Sequence, residues 1–82
     1  MTTKRKSAPA YKDYPKSDEQ RSGIKVSWLY YKDRAMADEA AVAAKHNAAI
    51  QASLGYDFGY CSPGYVTAHQ EFHPGMFEVC IP

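Results

Sequence analysis

Four side chains able to bind a metal or act as nucleophiles lie in the C-terminal part of the chain: Cys61, His69, His73 and Cys80. His69 and His73 have the spacing found in the second half of a zinc finger, but no Cys-x-x-Cys pair accompanies them. A thiol beside an imidazole is also a nucleophile pattern, and we expect His69 to lie across the sheet from Cys80. Because no nucleophile elbow, oxyanion loop or phosphate-binding glycine pattern accompanies this pair, the sequence predicts no catalytic residue, metal site or cofactor. Of the three functions considered for this chain, a small Cys/His metal-binding or catalytic domain has the weakest support.

The charge of the chain is unevenly distributed along its 82 residues. Residues 1–22 contain six Lys or Arg and three Asp or Glu, whereas residues 23–82 contain four and six. The first segment includes Pro9 and Pro15 and shows neither helical nor strand periodicity, so it buries too little to offset its ordering entropy. We predict a flexible basic arm at 1–22 and a single small domain at 23–82. The arm residues available for docking are Lys4, Arg5, Lys6, Tyr11 and Tyr14.

A strand and a long helix are predicted to begin the domain. Ile24 to Tyr31 is rich in β-branched and aromatic residues, which is typical of a strand. Asp33 can cap a helix running from about Arg34 to Leu54, which Gly55 ends. The helix contains many alanines, so its axis can approach a sheet closely, and most of the apolar core must come from the strands.

Three short segments follow the helix and predict a meander. They are Tyr56–Tyr60, Tyr65–Phe72 and Met76–Ile81, separated by the turn sequences Ser-Pro-Gly and His-Pro-Gly. The first strand must then lie at an edge, parallel to its neighbour, beside either Tyr56–Tyr60 or Met76–Ile81. The predicted fold class is α+β, in the order β-α-β-β-β, with a four-stranded, mostly antiparallel sheet and one long helix on one face.

The length of the loops decides which side chains face the helix. With loops of even length, Phe72 lies opposite Phe77, and both face the helix with Val79 and Cys61. The outer face then carries Cys80 and the predicted partner-binding residues Tyr56, Phe58, Tyr60, Tyr65 and His69. In this register the two cysteines lie on opposite faces, where they can neither form a disulfide nor share a metal.

An exposed cluster of aromatic side chains is typical of an interaction surface. The sequence therefore predicts a non-enzymatic protein-interaction module, either an adaptor, an inhibitor or a self-associating protein, that binds through its outer aromatic face and its arm. The alternative is a single-stranded nucleic-acid-binding protein, in which bases stack on the same aromatics beside the basic arm. Glu71 and Glu78 on that face disfavour the alternative, since a nucleic-acid surface should carry cations there.

No apolar run approaches the length needed to cross a bilayer, and the basic N-terminus has no apolar stretch behind it. We therefore expect a cytoplasmic protein that is neither membrane-spanning nor exported, with both thiols reduced.

Overall fold

The computed structural model contains one helix and four strands in the order β-β-α-β-β, and it describes residues 10–59, 61–69 and 71–82. The elements are β1 (Glu19–Ser22), β2 (Ser27–Tyr31), α1 (Arg34–Ser53), β3 (Val66–His69) and β4 (Met76–Ile81). The strands form one antiparallel sheet in the order β1-β2-β4-β3. The predicted α+β class, with a four-stranded sheet and one helix, is confirmed for the described residues.

The order of the elements differs from the prediction at the first strand. β1 lies inside the segment predicted to be an arm, and β2 lies within the sheet, antiparallel to β4, with Leu29 opposite Val79. The predicted parallel edge position for the Ile24–Tyr31 strand is therefore wrong. The reason is that β1 pairs with the other edge of β2 through a tight hairpin. The sequence of β1, Glu-Gln-Arg-Ser, is fully polar and exposed. Such a strand leaves no apolar period to detect.

The hairpin turn between β1 and β2 depends on Gly23. Its N–H donates to the Val26 carbonyl at 2.8 Å. A Cβ atom at this position would lie 2.6 Å from the Trp28 ring, closer than non-bonded carbon atoms approach. Glycine therefore allows the turn to close directly against the tryptophan.

Helix α1 begins and ends as the sequence predicts. The Asp33 carboxylate accepts the Ala35 N–H at 2.9 Å, and Gly55, with a positive φ of 93°, follows the C-cap residue Leu54. The helix buries mainly alanines: Ala37, Ala40, Ala41, Ala43 and Ala44. Because these side chains are small, the sheet must supply the bulk of the core.

The core lies between α1 and the two central strands. Leu29, Tyr31 and Val79 contact the alanines of the helix, and Val66, Phe77 and Ile81 pack around them. The predicted orientation of Phe77 and Val79 toward the helix is confirmed. That of Phe72 is wrong, since its side chain is 77% exposed. The cause is register: β3 ends at His69, so Ala68 lies opposite Phe77.

Residues 10–18, which we call the strap, are held against the domain mainly by polar contacts. The key residue is Asn47, which is buried on α1. Its Oδ1 accepts the Lys12 N–H at 2.7 Å, and its Nδ2 donates to the Lys12 carbonyl at 2.9 Å and to the Tyr14 hydroxyl at 2.8 Å. Further along, the Tyr31 hydroxyl donates to the Pro15 carbonyl at 2.6 Å.

Three of these four bonds involve backbone groups of the strap, which any sequence carries, and that explains why composition alone indicates a flexible segment there. The predicted docking residues Lys4, Arg5 and Lys6 lie outside the described residues. The boundary proposed between an arm and a domain at residues 22 and 23 stays a prediction.

Replacing Asn47 should release the strap. Asn47→Ala leaves the Lys12 N–H and carbonyl without their side-chain partner, and we expect a loss of about 1–3 kcal/mol in unfolding free energy. Urea unfolding measures the loss, and amide exchange should show reduced protection at Lys12. Val42→Ala, at an exposed position of the same helix, is the control. Undiminished protection of Lys12 in Asn47→Ala would contradict the assignment.

Stability at alkaline pH should depend on Tyr31. Burial, with a further contribution from the Glu39 carboxylate, raises the pKa of the Tyr31 hydroxyl to about 12, whereas an unfolded tyrosine ionises near pH ~10. Folding therefore favours the neutral phenol. Its stabilisation is fully present below pH ~10 and is lost as the pH rises through the folded value.

Tyr31→Phe should therefore lose less unfolding free energy than the wild type between neutral and strongly alkaline pH. At neutral pH it should be weaker by about 0.5–1.5 kcal/mol, because its bond to Pro15 is lost. Urea unfolding at a series of pH values checks both effects, with the exposed Tyr65→Phe as control. Equal alkaline losses in Tyr31→Phe and wild type would refute the role of this phenol.

Candidate interaction site around the outer face of the sheet

The sheet face opposite the helix carries two rows of directly opposed residues. One row is Arg21, Trp28 and Cys80, and the other is Glu19, Tyr30, Glu78 and Thr67. This face was predicted to be an open aromatic surface. Tyr30 and Cys80 are nevertheless buried, with 1% and 6% of their surface exposed. Loops that fold back over the sheet cover them at each end.

The turn between β3 and β4 covers the Tyr30 end. The His73 ring stacks on Tyr30 with ring centroids 3.7 Å apart, and its Nδ1 lies 3.3 Å from a Glu19 carboxylate oxygen. The Tyr30 hydroxyl donates to Glu78 at 2.7 Å. Burial raises the pKa of Tyr30, and this bond to the Glu78 carboxylate raises it further. The cluster therefore pairs polar groups from three strands and a loop.

The loop between α1 and β3 covers the other end. Cys61 and Phe58 line an apolar cavity of about 480 Å³ together with Trp28. Burial raises the pKa of Cys80, and the nearby Cys61 side chain raises it further. The predicted opposite placement of the two cysteines is therefore wrong. The described part of Tyr56–Tyr60 is loop rather than strand, so the alternation used to place Cys61 does not apply.

The predicted pairing of His69 with Cys80 is also wrong. His69 lies opposite Met76, while Cys80 lies opposite Trp28. Cross-strand pairing therefore does not form the expected cysteine–histidine nucleophile. Among residues 10–59, 61–69 and 71–82, no group of three or more His, Cys, Asp or Glu side chains is arranged to hold a metal ion.

Arg21 connects the two ends of the outer face, a role that the sequence did not indicate. Its guanidinium carbon lies 4.0 Å from the centroid of the Trp28 ring, within cation–π range. Arg21 also lines both the apolar cavity and a second cavity of about 490 Å³ beside Tyr30, Phe72 and His73. An arginine two residues before the hairpin glycine was the available signal, but it was assigned to the arm.

Two of the exposed apolar side chains, Ile24 and Tyr56, lie close together at the β1–β2 hairpin. Ile24, at the tip, is fully exposed; Tyr56, after the helix, is 61% exposed, and Phe58 is half-buried. Together they line a cavity of about 580 Å³, and we call Ile24, Tyr56 and Phe58 the hairpin-tip surface. Sequence reasoning missed Ile24 because it counted this residue as part of a strand.

An ion pair links the two segments that carry this surface. Lys25 Nζ lies 3.7 Å from the Asp57 carboxylate. The Gly59 N–H donates to the same carboxylate at 3.0 Å. This backbone bond lowers the pKa of Asp57, and the nearby Lys25 ammonium lowers it further. The hairpin tip and the loop after α1 are therefore in contact through an exposed ion pair.

The predicted partner-binding residues are distributed over several parts of the molecule. Tyr56 and Phe58 belong to the hairpin-tip surface, while Tyr65 is exposed just before β3, and His69 ends that strand. Tyr60 lies outside the described residues. In the strap, Tyr11 is half exposed, whereas Tyr14 packs against the core.

The comparisons with known proteins leave the interpretation to the chain's own chemistry. No protein-family model, curated protein or solved structure matches this chain. Within the part of the chain that the structure describes, no helix has both the length and the apolar character needed to span a bilayer.

The two thiols should react in the reverse of the order that the predicted faces imply. Cys61 lines a cavity and is half-buried, while Cys80 is buried and burial raises its pKa, so it presents little thiolate. Iodoacetamide should therefore modify Cys61 first in the native protein and Cys80 only as the protein unfolds. Peptide mapping of a labelling time course measures both rates. Faster labelling of Cys80 would contradict the burial described here.

Proposed function

We propose that this chain is a non-enzymatic protein-interaction module that binds its partner through the hairpin-tip surface. The observation that carries the proposal is the complete exposure of Ile24 at the tip of the β1–β2 hairpin, where it lines a cavity with Tyr56 and Phe58. Burying such side chains against a partner is favourable by roughly 25 cal/mol per Å² of apolar surface. An aliphatic residue beside two aromatics can act as the anchor of an interface.

Local contacts at the hairpin tip support this function. The Gly23–Val26 hydrogen bond closes the hairpin, and the Lys25–Asp57 pair joins it to the loop after α1. A surface that is already ordered loses less conformational entropy when it binds. The hairpin-tip surface is therefore prepared for docking.

The charges beside the surface favour a particular partner chemistry. The apolar cavity next to Ile24 and Phe58 has two charged residues in its lining, Arg21 and Lys25, and both are cations. Complementary charge improves the rate and specificity of association. We therefore expect the partner to present apolar side chains flanked by carboxylates.

Single-stranded nucleic acid is less favoured as the partner. Glu19 and Glu78 lie on the same outer face. A phosphate backbone would meet these carboxylates beside the few cations, which weakens binding.

A reducing, cytoplasmic location belongs to the same proposal. It is supported by the two free thiols, Cys61 and Cys80, which persist most readily where cellular reductants keep cysteines unpaired.

A photo-crosslinking amino acid at position 24 tests the proposed surface directly. We expect it to form a discrete protein adduct in cells that express the chain, because Ile24 should lie inside the interface. The same amino acid at position 42 is the matched control, since Val42 is also an exposed aliphatic residue but lies on α1 outside the hairpin-tip surface. Adding Tyr56→Ser to the position-24 variant should weaken the adduct severalfold, as expected for loss of an interface aromatic.

The products distinguish the alternatives. An adduct of the mass of two chains identifies self-association, and a heavier protein adduct identifies another partner. Equal crosslinking at positions 24 and 42, or none at position 24, would overturn the proposal. Tight, steeply salt-dependent binding to a mixed oligonucleotide pool, without a protein adduct, would support the nucleic-acid alternative.

A further inference from the structure

The two cysteines of this chain are distant in sequence but adjacent in the fold. Cys80 lies in the central strand β4, on the outer face of the sheet, whereas Cys61 lies in the loop between α1 and β3. Both are free thiols, and the Cys61 side chain lies near enough to Cys80 to influence its ionisation. Cys61 lines the same apolar cavity as Ile24 and Phe58 of the hairpin-tip surface.

Backbone contacts hold the cysteine loop in this position. The Gly64 N–H donates to the carbonyl of Cys80 itself at 2.9 Å. Gly64 is buried, has a positive φ of 89°, and a Cβ atom there would lie 3.0 Å from the Ala41 carbonyl of the helix. The Ser62-Pro63-Gly64 turn is thus fastened between α1 and β4, and Cys61 comes immediately before it.

The cavity beside the pair gives a small reagent access to one thiol. Cys61 lines the apolar cavity with Trp28, and Trp28 is the direct cross-strand neighbour of Cys80. Cys61 is half-buried, whereas Cys80 is 6% exposed. An incoming disulfide can therefore reach Cys61. The buried Cys80 lies near the Cys61 sulfur that has reacted.

We propose that Cys61 and Cys80 form a reversible redox pair that is oxidised by small disulfides of the glutathione type to an internal disulfide. Cys61 attacks first: its thiolate displaces one glutathione from oxidised glutathione, giving a mixed disulfide on Cys61 and one reduced glutathione. Cys80 then attacks the Cys61 sulfur and releases the second glutathione. The two thiol protons end on the two glutathione molecules, so the protein loses two electrons and oxidised glutathione gains them.

The buried environment of Cys80 fits the second role. A buried thiol is a slow nucleophile toward reagents in solution, but a mixed disulfide on the neighbouring Cys61 presents its target within the protein. Cys80 is therefore the resolving residue. Oxidation would join the loop after α1 to the centre of the sheet by a covalent bond.

Treatment with oxidised glutathione, followed by intact-mass analysis, tests this assignment. The wild-type chain should lose the mass of two hydrogen atoms and retain no glutathione, and dithiothreitol should restore the starting mass. Cys80→Ser should stop at a single glutathione adduct on Cys61, because the resolving thiol is missing. Cys61→Ser should react about tenfold more slowly than the wild type, since its remaining thiol is buried.

The wild-type product decides the question even where a variant folds poorly. A stable glutathione adduct on the wild type, disulfide-linked dimers, or no reaction would each overturn the proposal. Thermal unfolding of the oxidised wild type supplies a second measurement. A bond formed between thiols that are already adjacent should raise the unfolding midpoint, and the rise should disappear on reduction. A lowered midpoint would show that the bond distorts the fold and would contradict native adjacency.

Discussion

The antiparallel pairing of β2 with β4 is the constraint on which the rest of the structure depends. It joins a strand that precedes the helix in the sequence to a strand that follows it. It also places Leu29 beside Val79, where both contact the alanines of α1. The same register places Trp28 beside Cys80 on the outer face. Because side chains alternate along a strand, a slip of one residue would turn Cys80 toward the helix and Val79 away from it. Because the alanine side chains of α1 are small, they cannot fill the space that Leu29 or Val79 would leave if the register changed.

The two faces of this sheet are covered by different physical means. On the helix side, apolar surface is buried against a regular element, and the contribution grows with the area removed from water. On the outer side, two loops place His73 over Tyr30, and Cys61 and Phe58 beside Trp28. At the Tyr30 end the covering contacts are ring stacking and hydrogen bonds, whereas at the Trp28 end the loop lines an apolar cavity. The outer face is therefore covered by loops and the inner face by a helix.

The sequence predicts those elements whose signals are local. The Asp33 cap and the Gly55 end define α1 almost to the residue, and β4 is found at its observed bounds, Met76–Ile81. β1 was missed because its four side chains are polar and its pairing depends on a partner strand. The placement of Cys61 failed for a related reason: the alternation rule was extended to a segment that is loop. The candidate site was predicted only in part, through Tyr56 and Phe58. Ile24 and Arg21 become informative once the hairpin is known, because only the turn places one at a tip and the other over Trp28.

The position of the strap determines how this protein can be tethered without blocking it. Ala10 lies against the helix, where its carbonyl oxygen is 2.9 Å from the His46 ring. A group attached at residue 10 would therefore lie beside α1. Pro82, in contrast, lines the cavity shared with Ile24 and Tyr56. A group attached at Pro82 would add bulk directly beside these two exposed side chains. Residue 10 does not line that cavity, so attachment there leaves Ile24 and Tyr56 accessible.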